Sequence, residues 1–170
     1  MTASSISGET AGGSPIRVLV VEDYLPFRRF LCATLLRHSA FEIIGEAGDG
    51  LDAVQRAEEL CPDLILLDVG LPTLNGLEAA RRIRKLSPES RILFVSQETS
   101  TELVQEALSG GAFGYVVKAH AAHELLQAVE AVSQGKMFIS SGLSAFTFTN
   151  ITYKQDSDRL SHEPVLRSPA

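Results

Sequence analysis

Two adjacent carboxylates, Glu22 and Asp23, close an apolar run at 18–21, and a third, Asp68, closes another at 64–67. A hydroxyl, Ser96, ends the run at 92–95, and an ammonium, Lys118, ends the run at 115–117. Converging carboxylates with no His or Cys beside them suit a hard, oxygen-preferring cation; Mg²⁺ takes one or two carboxylates and keeps waters. Backbone carbonyls of the loop at 69–71 are available to complete such a shell. A carboxylate that receives a phosphoryl group needs a metal to neutralise charge, an ammonium, and a hydroxyl donor. By itself an acidic pair reads as a solvated loop, because burial penalises both charges. The third carboxylate moves the reading towards a site. A lysine that ends a buried strand must find an anion.

These groups meet only if the elements before them share an edge. Short continuous apolar runs separated by helical periodicity read as parallel strands buried on both faces. In open α/β sheets the ligand site lies at the carboxyl ends of the strands. From Arg17 the pattern alternates strand and helix five times, with strands at 18–21, 41–47, 64–67, 92–95 and 113–117. Pro26 falls near a helix start, where its missing N–H costs nothing, and Phe27, Phe30, Leu31, Thr34 and Leu35 form that helix's inner face. The next two helices carry stripes of Leu51, Val54, Ala57, Leu60 and of Leu77, Ala80, Ile83, Leu86. Thr99 with Glu102 has the spacing of a capping box before Leu103, Ala107 and Leu108. Leu125, Leu126, Val129 and Val132 mark the last helix, with Gly135 suited to its C-terminal end. The expected fold is α/β: a doubly wound, five-stranded parallel sheet with right-handed crossovers and helices on both faces.

A chain of 170 residues fits one domain with terminal surplus. The net charge of −6 argues against a general nucleic-acid surface. The basic window Arg81-Arg82-Ile83-Arg84-Lys85 spreads around a helix axis and reads as a solvated face. Cys32 and Cys61 lack ligand or disulfide spacing and read as small buried hydrophobes. Residues 1–15 read as a flexible leader without the regions of a signal peptide. No apolar run reaches transmembrane length, so no membrane association is expected and the cytoplasm is the default compartment. Residues 16–139 form the domain, and residues 140–170 form a tail expected to be disordered. The alternating Phe and Thr between Ala145 and Tyr153 leave an added edge strand as the alternative.

Taken together, Glu22-Asp23, Asp68 followed by Gly70 and Pro72, Asn75-Gly76, Ser96, and Gly111-Ala112-Phe113-Gly114-Tyr115-Val116-Val117-Lys118 resemble the receiver domain of bacterial two-component response regulators. The resemblance covers roughly Ile16 to Ile139 and implies a flavodoxin-like strand order of 2-1-3-4-5. It is closest to the NarL/FixJ-type subfamily, whose receivers precede a helix-turn-helix DNA-binding domain. It implies that Asp68 is the phosphoacceptor, served by a histidine kinase or phosphotransfer protein. By the same resemblance Asp23 binds Mg²⁺ directly, Glu22 through water, and the Gly70 carbonyl is a further ligand alongside Asp68. Ser96 then hydrogen-bonds the phosphoryl group, Lys118 pairs with it, and Tyr115 is the switch aromatic that moves with Ser96.

The pattern departs from the family in carrying Glu22 where Asp is commoner and Ala119 where many receivers have Pro. The residues after Ile139 are too few and lack the amphipathic helices for a helix-turn-helix domain. A stand-alone receiver is therefore expected: not an enzyme, switching contacts with a downstream protein or a second copy of itself, and not binding DNA directly. Two other classes share parts of this pattern. An aspartyl-phosphate phosphatase wants a second Asp two residues after the nucleophile, where Gly70 stands. An unphosphorylated interaction module would not need the complete set of Glu22, Asp23, Asp68, Ser96 and Lys118. His120 and His123 read as solvated or capping residues.

Overall fold

Buried apolar runs with no room for exposed backbone pair laterally, and here they form one parallel sheet. The computed structural model describes residues 13–143; the expected leader up to residue 12 and the expected tail and strand from residue 144 lie outside the described residues. The order is β1 (Ile16–Val21), α1 (Leu25–Leu36), β2 (Phe41–Ala47), α2 (Gly50–Leu60), β3 (Leu64–Leu67) and α3 (Gly76–Leu86). It continues with β4 (Arg91–Ser96), α4 (Thr101–Ser109), β5 (Gly114–Val117), a single 3₁₀ turn (Lys118–His120), α5 (Ala121–Ser133) and β6 (Phe138–Ile139). Strand order is β2-β1-β3-β4-β5-β6, so the expected arrangement holds for five strands and gains a short sixth.

The sixth strand follows from the end of α5. Lys136 N–H donates to the Ala131 carbonyl and Gly135 N–H to the Val132 carbonyl, each at 2.9 Å. Gly135 has φ +78, the left-handed conformation that closes a helix at low steric cost. The chain then turns back and lays Phe138 and Ile139 beside Gly114 and Tyr115. Two residues are too few to carry a readable periodicity.

One face of the sheet packs on α1 and α5 through Leu31, Leu35, Leu125 and Val129, and the other on α2, α3 and α4 through Ala53, Ala57, Ile83 and Val104. Every residue of β3 is fully buried, each such Leu or Ile contributing about 1.5–3 kcal/mol relative to exposure. The helical stripes on α2 and α3 hold at Ala57, Ala80 and Ile83, with Val54 and Leu77 packed beside them, and differ from expectation at their ends. Their buried residues are Gly50, Ala53 and Ala57, and Gly76, Ala79, Ala80 and Ile83, whereas Leu51 and Leu86 are exposed. Close approach selects small residues: a Cβ on Gly50 would overlap the Leu74 carbonyl, and one on Gly76 the Asp68 carbonyl.

Capping also differs in one place. Asp49 and Asn75 cap α2 and α3, accepting from Asp52 N–H at 2.9 Å and Glu78 N–H at 3.0 Å. The Thr99–Glu102 box does not form, because α4 begins one residue later with Ser100 at its N-cap and no side-chain cap bond. Cys61 is exposed rather than buried, since it terminates α2 in left-handed backbone at φ 44 instead of lying on its inner face. Cys32 is half-buried.

Helix propensity alone rewards Gly76→Ala by at most about 1 kcal/mol, whereas forcing a methyl against the Asp68 carbonyl costs about 1–3 kcal/mol. We expect net destabilisation, read as a lower urea midpoint at unchanged m-value. A raised midpoint would mean that α3 does not start packed beneath Asp68.

Candidate functional site

Parallel register carries the polar residues to one edge. Val21 pairs with Leu67, and Leu67 with Phe94, so Glu22 and Asp68 leave the sheet side by side. Ser96 pairs with Val117, which puts Lys118 just past the end of β4. A cleft of about 440 Å³ opens there, lined by Glu22, Asp23, Asp68, Gly70, Ser96 and Lys118. It is also lined by Tyr24, Phe27, Gln97 and Glu98, which the motif reading did not name. The inner face of α1 that carries Phe27 also reaches the cleft; nothing in the spacing of Phe27 marks it as different from Phe30.

Ligand oxygens of Glu22, Asp23 and Asp68 all lie within 4.8 Å of one another. Glu22 is fully buried, Asp68 nearly so, and Asp23 exposed. The Lys118 ammonium stands 2.6 Å from Glu22 Oε2 and 3.1 Å from Asp68 Oδ2. The contact with Asp68 is a hydrogen bond. The contact with Glu22 is closer but poorly aligned, so Oε2 is buried with charge compensation and no directed donor. Glu22 Oε1 accepts from Tyr24 N–H at 3.0 Å. Lys118 also stands 4.9 Å from the centre of the Phe27 ring, a distance at which the ring face attracts a cation.

Burial pushes the Glu22 carboxyl above its ordinary value, against the opposing pull of the nearby Lys118 ammonium and the Tyr24 N–H. Burial alone would lower Lys118, but Glu22 and Asp68 outweigh it and hold the ammonium above the usual lysine value. Three carboxylates against one ammonium leave the cluster short of positive charge. The donor set is all oxygen, with no Cys or His, which fits Mg²⁺. In the loop after Asp68, the Val69 carbonyl is engaged by Leu71 N–H at 3.0 Å and Gly76 N–H at 2.8 Å. The Gly70 carbonyl accepts from no backbone N–H among the described residues.

Ser96 is buried, and its Oγ accepts from Glu98 N–H at 3.2 Å. Tyr115 does not line the cleft. It is wholly buried on β5, its ring 6.1 Å from that of Phe94, and its hydroxyl donates to the Glu98 carbonyl at 2.8 Å. Burial pushes its pKa up to about 12, so the phenol stays protonated as a donor. Ser96 and Tyr115 thus hold opposite sides of the same residue. His123 is exposed, and His120 Nδ1 lies 3.9 Å from Glu124 rather than in the cleft.

The model of the response regulator receiver domain matches residues 18–130. The chemotaxis protein CheY of Thermotoga maritima is 32% identical over 118 residues, covering 69% of this chain and 98% of that protein. The transcriptional regulatory protein LiaR of Bacillus subtilis is 30% identical over 152 residues, covering 89% of this chain and 72% of that protein. Among solved structures, a two-component response regulator of the LuxR family from Aurantimonas sp. SI85-9A1 superposes with a TM-score of 0.72 at 28% identity. That alignment covers 86% of this chain and 99% of the other.

Lys118→Met tests the charge balance. Removing one partner from a buried pair costs about 3–5 kcal/mol; with 19% of the Lys118 side chain exposed, the lower end is expected near neutral pH. The folded pKa of Lys118 is raised, so its contribution is full below the ordinary lysine value and lost as pH rises through the folded one. Glu22 is also raised, so it disfavours folding once pH climbs through its folded value. The variant's deficit is therefore expected to shrink on acidification, as Glu22 takes up a proton. Urea melts across pH without added metal measure this; a deficit that grows towards acid would refute the balance.

Proposed function

This chain belongs to the response regulator receiver domain family, and we propose that it accepts a phosphoryl group on Asp68, with Mg²⁺ beside it, and signals through protein contacts. The observation that carries this reading is the Lys118 ammonium held between buried Glu22 and Asp68 at the mouth of an acidic cleft. In this reading Asp23, Asp68 and the Gly70 carbonyl would hold the cation, and Glu22 would act through a water. Bound Mg²⁺ supplies charge neutralisation at the phosphoryl oxygens. The donor is a histidine kinase or phosphotransfer protein presenting a phosphohistidine. A carboxylate oxygen of Asp68 forms the P–O bond as the P–N bond breaks, and the electron pair stays on the imidazole nitrogen.

Lys118 pairs with the transferred group, and Ser96 donates its hydroxyl to it. Moving Ser96 towards the phosphoryl group strains its bond with Glu98, whose carbonyl holds the Tyr115 hydroxyl. The aspartyl phosphate therefore biases a pre-existing rearrangement of the segment after β4 and of Tyr115, reshaping the surface around α4, β5 and α5. Tyr24 and Leu25, 63% and 41% exposed at the start of α1, offer an apolar rim where a protein donor approaches.

Output of this domain through a protein partner or a second copy, rather than through its own contact with DNA, is supported by the net charge of −6. It is also supported by ion pairing of the basic window, where Arg81 meets Glu106 at 2.5 Å and Arg82 meets Glu78 at 3.3 Å. Among the described residues no helix is long and apolar enough to cross a membrane.

Incubation with a small phosphodonor and Mg²⁺ is expected to add one acid-labile phosphoryl group, seen by mass spectrometry. Asp68→Asn should abolish labelling while the fold persists, Asp23→Asn should slow it strongly, and Glu22→Gln less so. Undiminished labelling of Asp68→Asn would sink the acceptor assignment, and identical Mg²⁺ dependence in all variants would sink the metal site. In electrophoretic mobility shifts the chain, labelled or not, should retain no duplex DNA at physiological salt; nanomolar operator binding would overturn the protein-contact output.

A further inference from the structure

We infer that Arg28 is a positioning residue for metal binding, clamping the peptide between Glu22 and Asp23 and so setting where the Asp23 carboxylate leaves the chain. The inference rests on the proposed Mg²⁺ role of Asp23. Arg28 Nη1 donates to the Glu22 carbonyl at 3.0 Å. Glu22 is fully buried, so that carbonyl has no solvent to replace the guanidinium. On its other side Glu22 N–H donates to the Ala47 carbonyl at 3.0 Å. Both peptides flanking Glu22 are thereby fixed.

Asp23 is held differently. Its side chain is exposed, and among the described residues it makes no hydrogen bond or ion pair. Its direction is therefore inherited from its backbone, and the plane of the peptide before it is set by Arg28. Arg28 is confined in turn by packing and charge: its side chain is only 21% exposed, and its Nε pairs with Glu46 Oε1 on β2 at 3.3 Å without hydrogen-bond alignment. Gly48 leaves the guanidinium its space, since a Cβ there would stand 3.2 Å from Nη1. Groups that orient ligands in this way, when removed, typically cost about 10–100-fold in metal affinity.

The sign of the effect separates positioning from charge. Removing a cation near a dication site would, by Coulomb's law alone, tighten Mg²⁺ binding. Loss of positioning weakens it. Isothermal titration of the full chain with MgCl₂, alongside urea melts without metal, is the test. Arg28→Met, which keeps the stem and loses the donors, is expected to bind Mg²⁺ roughly tenfold more weakly than the parent. Arg28→Lys, which keeps the charge but replaces the planar fork with a single ammonium, should fall between them. If Arg28→Met does not fold, Arg28→Gln takes its place with the same expected direction. A folded neutral variant that binds Mg²⁺ within twofold of the parent, or more tightly, would overturn the inference alone. A parent chain that binds no Mg²⁺ would overturn the proposed metal role itself, and this inference with it.

Discussion

Three carboxylates crowd the carboxyl edge of the sheet, two of them out of solvent, and one ammonium makes that arrangement tolerable. Lys118 lies 2.6 Å from Glu22 and 3.1 Å from Asp68, so it divides a single charge between two anions that would otherwise repel at low dielectric. The compensation is partial. Glu22 remains raised above its ordinary value, and among the described residues Asp23 has no cation of its own. A site in this state is one whose oxygen donors could hold a further positive charge.

Backbone close to backbone maintains the geometry. The loop between β3 and α3 folds under Asp68, with the Val69 carbonyl taking two N–H donors and Thr73 in left-handed backbone at φ 69. Gly76 leaves no space for a side chain beneath the Asp68 carbonyl, and Gly50 none beside Leu74. The small-residue faces of α2 and α3 are therefore part of the site: larger inner residues would lift these helices and move the loop that carries Gly70. On the other side of the sheet α1 contributes Phe27 beneath Lys118 and Arg28 behind Glu22. Its first turns serve the acidic pair as much as the core.

A path leads outward from the same edge. Ser96 and Tyr115 each bond Glu98, one at its N–H and one at its carbonyl, and Tyr115 packs its ring against Phe94. In the proposed switch, a change at Asp68 reaches the outer strand through this shared residue. The far end of α4 is tied to α3 by Arg81 with Glu106 and by Arg84 with the Gly110 carbonyl. Its start has no side-chain cap bond, so the end nearest the cleft is the less restrained one.

Much of the cleft is legible in the sequence. Parallel strands buried on both faces must be apolar throughout, so the first polar residue after each marks the ligand edge. Glu22, Asp23, Asp68, Ser96 and Lys118 stood out for that reason, and the five core strands with them. What periodicity could not supply was distance between elements. On α2 and α3 it found Ala57, Ala80 and Ile83 but put Leu51 and Leu86 on the inner face, where close contact chooses Gly and Ala. It passed over β6, which exists only because Gly135 turns the chain back along β5. Phe27, Arg28 and Glu98 carry no local mark, since each matters through a partner fixed by strand order and helix seating. Lys118 needed an anion on chemical grounds alone. That it takes two, and that one of them is fully buried Glu22, was decided by packing, because Coulomb energy depends on separations that the chain acquires only when the sheet closes.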